Sequence, residues 1–214
     1  MSLKGKSVVI TSGPTREHLD PVRYMTNASS GRMGAALASA ALRAGARVTV
    51  VAGPGAPVPA GARALPVVTA LEMRRSTLAA ARRADVVIAA AAVGDWRFAS
   101  PSRRKVKRSA RSLTVRLVPN PDIVADVARR RRGGRPFVVG FALETHDWLA
   151  HAAAKLRRKR LDLVVANEAS ALGGESTRVA LVDADGALVL APMSKARAAG
   201  AVIRAVSERL DARR

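Results

Sequence analysis

Hydrophobic and polar positions alternate between two periods along this chain. Residues 7–11, Ser-Val-Val-Ile-Thr, form a short β-branched run that stops at Ser12-Gly13-Pro14, and residues 46–54, ARVTVVAGP, form a second run closed by Gly-Pro. Runs of this length bounded by turn residues predict buried strands. Between them Met33, Leu37 and Ala41, together with Ala36, Ala40 and Ala44, recur at helical spacing over 33–44. The alternation continues with a helix near 69–83, a strand at 85–91, an irregular charged stretch from 95 to 111 and a half-exposed strand at 113–118. A helix follows Asn120-Pro121, with proline in its first turn as is favoured there. A buried strand at 136–144, a basic helix at 146–160 and a strand at 161–167 come next. Residues 178–192 predict a hairpin turned on Asp-Gly, and a helix over 193–210 closes the chain.

Near-continuous apolar strands alternating with helices imply one α/β domain over residues 1–214. The expected architecture is a Rossmann-like three-layer sandwich, a mostly parallel sheet with helices on both faces and a C-terminal β-hairpin. Ligands on such sheets bind beyond the carboxyl ends of the strands, where the strand order reverses. The chemistry is therefore expected on the loop after the first strand and on residues 91–111, 118–124 and 141–145. No internal repeat or long linker interrupts the pattern.

Composition narrows the possibilities. Apolar residues make up 49% of the chain but aromatic ones only 3%, so the core must be built from small and branched aliphatic side chains. No run approaches the roughly 18 apolar residues of a membrane span, and the first residues lack a cleavable apolar segment. No membrane partner and a cytoplasmic location are expected. The absence of cysteine excludes disulfides, thiolate metal sites and a cysteine nucleophile. A formal net charge of +21 attracts polyanions of any kind; a solvated arginine-rich surface and a nucleic-acid contact both account for it. With so few aromatic rings to stack on bases, no specific nucleic-acid partner is expected.

Several constellations are candidates for chemistry. In SSGRMG, residues 29–34, two glycines allow close backbone approach and the next helix offers its first amides to an anion; Ser29 or Ser30 acting as a plain helix cap looks the same. The dinucleotide fingerprint and its ribose-binding acid are missing, since the second strand ends Val51-Ala52-Gly53-Pro54. Lys105 and Lys107 lie on a segment that could cover a polyphosphate. Lys155 and Lys159, four apart, share a helix face and repel unless an anion bridges them. The turn at 118–124 offers free amides and Asp122. His18, His146 and His151 are scattered, with no metal-ligand spacing.

ITSGPTREHLDPVRYMTNASSGRMG resembles the signature of the phosphopantothenate–cysteine ligase (phosphopantothenoylcysteine synthetase) family of coenzyme A biosynthesis. The likeness continues through VTALEM, AAAVGDWR, KVKR, NPDIV, VVGFALET, KLRRKRLDLVVAN and the final hairpin, in order along nearly the whole chain. It implies a reaction in which the carboxylate of 4′-phosphopantothenate attacks the α-phosphorus of CTP, carried with Mg²⁺, and releases pyrophosphate. The amine of L-cysteine then displaces CMP from the acyl-cytidylate. The family is dimeric, which implies a homodimer.

The resemblance also implies residue roles. Asn27 matches the asparagine needed to turn over the acyl-cytidylate, and Lys105 a nucleotide-contacting catalytic lysine. Ala89, Ala90, Ala91, Asp95, Pro121, Asp122, Ile123, Val124, Phe141, Lys155 and Lys159 match the remaining nucleotide contacts. Arg23, Ser29, Ser30, Gly31 and Ala92, with Asn27, are expected at the phosphopantothenate pocket. Arg32 stands where lysine is common, which keeps the charge and changes its hydrogen-bond geometry. Many members carry an N-terminal flavin-dependent decarboxylase, whereas this chain starts at the ligase strand. No flavin and no such domain are therefore expected here. An NADP-dependent reductase on a similar sheet and a basic nucleic-acid-binding protein are the alternatives.

Overall fold

A computed structural model describes residues 2–108, 112–144, 146–168 and 176–213. The central sheet is built on β1 (Ser7–Ser12), β4 (Arg47–Ala52), β5 (Arg63–Pro66), β6 (Val86–Ala89), β9 (Phe137–Glu144) and β10 (Leu163–Glu168). These run parallel in the spatial order β5-β4-β1-β6-β9-β10. The antiparallel β12 (Val179–Val182) and β13 (Ala187–Val189) extend it beyond β10 as a hairpin. Side chains on successive strand residues point to opposite faces, and this alternation divides the apolar residues between two cores. Val8, Ile10, Val86, Ile88, Val139 and Val165 face α1 (Arg32–Arg43) and α5 (Lys195–Asp211). Val9, Val87, Val138 and Val164 face α2 (Ala70–Ala81), α3 (Ile123–Arg130) and α4 (Trp148–Lys159). The three-layer expectation holds.

Five features depart from the sequence pattern. The loop after β1 contains a small antiparallel hairpin, β2 (Arg16–His18) with β3 (Tyr24–Thr26). Its polar residues hide the strands, yet Glu17 is buried because its carboxylate accepts the Ala70 amide at the start of α2. The expected strand at 113–118 reduces to β8 (Leu117–Pro119), which pairs with β7 (Trp96–Phe98) inside the stretch read as irregular. Leu113, Val115 and Leu117 alternate but are all exposed, so among the described residues no layer buries their side. The edge strand β5 escaped notice because Arg-Ala-Leu-Pro is short and ends in proline. Pro121 lies before α3 and not within its first turn. Asp122 takes the cap position by accepting the Ala125 amide at 3.1 Å. Two short strands, β11 (Ser176–Thr177) and β14 (Met193–Ser194), pair before α5.

The start of α1 is fixed by close approach. Gly31 holds φ at 68°, a left-handed conformation favouring glycine, and acts as the cap residue without a side-chain cap bond. Neither Ser29 nor Ser30 caps the helix, contrary to one reading of the sequence. Instead Ser29 Oγ accepts the Gly31 amide at 3.4 Å and Ser12 Oγ donates to the Gly31 carbonyl at 3.2 Å. A Cβ on Gly34 would run into the side chain of Ser12, so the helix can lie this near β1 only with glycine there.

The tip of the β2–β3 hairpin organises the segment that follows β7. Asp20, almost fully buried, accepts Arg23 Nε at 3.0 Å and the Val106 amide at 3.1 Å; Arg23 Nη2 donates to the Val106 carbonyl at 2.6 Å. The Ser102 amide donates to the Leu19 carbonyl at 2.8 Å. The Arg23 guanidinium holds the Asp20 carboxyl well below the usual carboxylate range; burial works against it, and the Val22, Arg23 and Val106 amides reinforce it.

Gly34→Ala is expected to lower the unfolding free energy by about 1–3 kcal/mol through overpacking against Ser12, read from urea denaturation at neutral pH. A carboxyl whose folded-state pKa lies below its unfolded value of about 4 contributes fully above that value, and the contribution is lost as pH falls through the folded-state value. The urea midpoint should therefore decline below pH about 4. In Asp20→Asn the midpoint should start lower and decline less, because that carboxyl no longer titrates.

Candidate functional site

The parallel order reverses between β1 and β6. The chain leaves β1 toward β4 and β5, and leaves β6 toward β9 and β10 on the other side. Loops departing these two strands must diverge and open a crevice at the carboxyl edge of the sheet. Beyond the end of β6 the backbone keeps a partner on the β1 side, where Ala92 bridges Pro14 in parallel, while the register with β9 ends at Ala89, so its remaining groups need others.

Backbone carbonyls of β1 and the loop after it, and side chains from neighbouring loops, supply them. The Ala90 amide donates to the Thr11 carbonyl at 3.2 Å, the Ala91 amide to Thr11 Oγ1 at 3.2 Å and the Ala92 amide to the Gly13 carbonyl at 2.9 Å. The Gly94 amide reaches Thr15 Oγ1 at 2.9 Å, while Thr26 Oγ1 donates to the Thr15 carbonyl at 2.7 Å. Asn27 Nδ2 donates to the Val93 carbonyl at 3.0 Å, and its side chain is otherwise exposed. From the other side, Asn120 Nδ2 donates to the Gly94 carbonyl at 2.8 Å and its amide to the Asp95 carbonyl at 2.7 Å. Residues 90–95 are thus stitched between the loop carrying Asn27 and the turn carrying Pro121 and Asp122.

The cationic side of the crevice follows from α4. Lys155 and Lys159 lie on the same helix face, as their spacing requires. Lys155 Nζ donates to the carbonyl of Phe141 on β9, and Lys159 Nζ pairs with Asp122 Oδ2 at 2.7 Å. Burial alone would raise the Asp122 carboxyl; the Lys159 hydrogen bond, the Ala125 amide and the charges of Lys159 and Lys155 outweigh it, and the net shift is downward. The mutual repulsion read from the sequence is therefore relieved by protein oxygens as well as by any anion.

These contacts join Asn27 and the 89–92 segment to Asp95, the 120–124 turn and Lys159, with Lys155 and Phe141 alongside. Ile123 and Val124 are buried in the first turn of α3. Ser29, Ser30 and Gly31 follow Asn27 directly and lead into the uncapped start of α1. No hydrogen bond or ion pair among the described residues links Arg23 or Lys105 to this cluster. Arg23 is at most about 14 Å along the chain from Asn27, with its guanidinium engaged by Asp20 and Val106. Lys105 is exposed and makes no hydrogen bond or ion pair among the described residues. Sequence reasoning missed Thr11, Thr15, Asp20 and Asn120. Threonine just past a strand end and asparagine before proline are the available signals, and both occur in many loops without such a role.

Comparison with known proteins places this arrangement. Residues 3–210 match the family described as DNA/pantothenate metabolism flavoprotein C-terminal domain. The coenzyme A biosynthesis bifunctional protein CoaBC of Vibrio cholerae is 49% identical over 174 residues, which are 80% of this chain and 43% of that protein. The chain thus spans less than half the length of that relative. The crystal structure of the C-terminal domain of a CoaBC protein superposes with a TM-score of 0.84 at 32% identity, over 98% of this chain and 97% of that one. A Cab2 mutant in complex with phosphopantothenate-cysteine has the same fold, with a TM-score of 0.81 at 20% identity over 97% of this chain and 87% of its own. The chain belongs to the family of DNA/pantothenate metabolism flavoprotein C-terminal domains.

Proposed function

We propose that this chain joins 4′-phosphopantothenate to L-cysteine by way of an acyl-cytidylate. The observation that carries the reading is the Asn27 amide docked on the end of β6, at the reversal of strand order, on the crevice that Lys155 and Lys159 approach from the other side. Membership of the family supports it. In the first step a carboxylate oxygen bonds to the α-phosphorus of CTP and the α–β phosphoanhydride breaks, expelling pyrophosphate. In the second the cysteine amine bonds to the acyl carbon, the acyl–phosphate C–O bond breaks, CMP leaves and the amine gives up its proton. Magnesium enters with the triphosphate as part of the substrate, retaining waters and needing few protein ligands; among the described residues no group of three acidic or histidine side chains could hold it separately.

The chain's own residues divide the work. Asn27 Nδ2 bears two hydrogens; the one held by Val93 orients the side chain, and the second is available to the acyl oxygen as charge develops there. Lys155 and Lys159 exchange Phe141 and Asp122 for triphosphate oxygens, and Lys105 approaches from the segment anchored by Asp20 to offset charge on the departing pyrophosphate. The backbone of 89–92 and of 121–124 lies against the nucleotide. The first-turn amides of α1, with Ser29, Ser30 and Gly31, receive the phosphate of phosphopantothenate.

A homodimer completes this reading. Val22, Tyr24, Trp96, Leu113 and Leu117 are exposed on the β2–β3 hairpin and the β7–β8 ribbon, which pack together. Burying these residues against a second copy would remove them from water and bring Arg23 and its hairpin to the partner.

Pyrophosphate release should require CTP, Mg²⁺ and phosphopantothenate, and release indifferent to phosphopantothenate would refute the assignment. Asn27→Asp is expected to form the acyl-cytidylate yet transfer it to cysteine about 10²–10³-fold more slowly, the usual cost of losing one such donor; rapid-quench measurement of the two half-reactions separates them. Light scattering should find a dimer, and Leu117→Asp should give monomers.

A further inference from the structure

A second cationic region lies at the opposite edge of the sheet. A cavity of about 1110 Å³ opens between the C-terminal ends of α2 and α3 and the turn that precedes β9. Both helices run back from the Asn27–Lys159 crevice, so this cavity is remote from it. Seven arginines line it and no acidic residue does.

The arginines fall into two groups. Arg129, Arg131 and Arg135 are held by carboxylates just outside the cavity: Asp126, Asp162 at 2.8 Å and Asp85 at 2.6 Å. Arg82, Arg83, Arg130 and Arg132 make no side-chain hydrogen bond or ion pair among the described residues. A basic residue at a helix C-terminus offsets the helix dipole, which accounts for one or two of these charges and not for the four unpaired ones around one opening. Charges of one sign gathered at short range repel by about 1 kcal/mol per pair at 4 Å in water and by more near protein. A polyvalent anion relieves that repulsion.

We infer that this cavity binds a chain of phosphates, recognised through its oxygens. The planar guanidinium fork matches phosphate geometry in bidentate fashion, and Arg82, Arg83, Arg130 and Arg132 have theirs uncommitted among the described residues. No aromatic residue lines the cavity, so nothing there stacks on a base. The remaining lining, Leu78, Ala79, Ala81, Ala84, Val127 and Pro136, is apolar and small, and offers nothing to a sugar. The volume suits several phosphate units, being near the upper end of ligand pockets at about 1,000 Å³.

Inorganic tripolyphosphate, titrated calorimetrically into the full chain, is the test. Arg82→Ala/Arg130→Ala/Arg132→Ala should weaken one binding event by about tenfold or more, as expected for lost charged hydrogen bonds. Those side chains hold nothing inside the fold, so circular dichroism should be unchanged. Lys155→Ala/Lys159→Ala should leave this event intact, which keeps the outcome separate from any failure of the nucleotide site. Arg43→Ala/Arg197→Ala/Arg204→Ala removes the same charge from α1 and α5 and should change binding by no more than about twofold, since distant charge acts only through the screened field. Equal weakening in that control, or an unchanged groove variant, would overturn the inference. So would displacement by hexaglutamate as effective as by phosphate, which would assign an acidic peptide. A thymidine oligonucleotide that competes at equal phosphate concentration identifies a nucleic-acid backbone as the source of the phosphates; failure to compete identifies free chains. Either result supports the site.

Discussion

Everything at the carboxyl edge depends on satisfying the backbone of residues 90–95 once it leaves the sheet. β6 has only four residues, and past Ala89 its register with β9 ends while only the β1 side continues, as far as the Pro14–Ala92 bridge. An unpaired buried N–H or C=O costs about 1–3 kcal/mol, so the segment keeps its course only because Thr11, Thr15, Asn27 and Asn120 reach it. The two asparagines hold it from opposite sides. The same bonds that satisfy the strand end therefore fix the distance between two otherwise independent loops, and a change in any one of them is felt on both.

Charge is deployed differently at the two edges of the sheet. In the crevice Lys155 and Lys159 are few, partly buried and matched with a carbonyl and a carboxylate. Across the molecule the arginines between α2 and α3 are many, and several have no partner among the described residues. The first arrangement can position a ligand within the reach of a side chain. The second favours a ligand defined mainly by its charge and length. The net charge of +21 is thus not a uniform coat.

Much of the fold was legible because it is written in alternation. Val8, Val9 and Ile10 announce a strand buried on both faces, and the same signature recurs at 86–88 and 137–139. The β2–β3 hairpin was hidden because Glu17 is buried through a hydrogen bond to Ala70, a reason that a hydropathy pattern does not contain. The β7–β8 ribbon was misjudged at its ends for the opposite reason: an alternating pattern at 113–118 presumes a covering layer, and none is present among the described residues. Among site residues, Asn27, Lys155 and Lys159 could be picked out by family resemblance. The pairings they make could not, since Val93, Phe141 and Asp122 become their neighbours only when separate βα connections close on one edge. Gly31 was legible as a turn, but its role as the cap itself depends on a φ that no residue string states.

The pairing of Lys159 with Asp122 has a consequence for selectivity. Asp122 also caps α3 through the Ala125 amide, so one carboxylate restrains both a helix start and a lysine. A phosphate arriving at Lys159 trades one oxygen for another instead of neutralising a bare cation, and the net gain is the small difference between the two. Orthophosphate and sulfate, with one point of attachment, have little to win from such a trade. On the proposed reading, a triphosphate that made several exchanges at once would accumulate the differences, so discrimination against simple anions would arise from competition inside the protein and need no steric barrier.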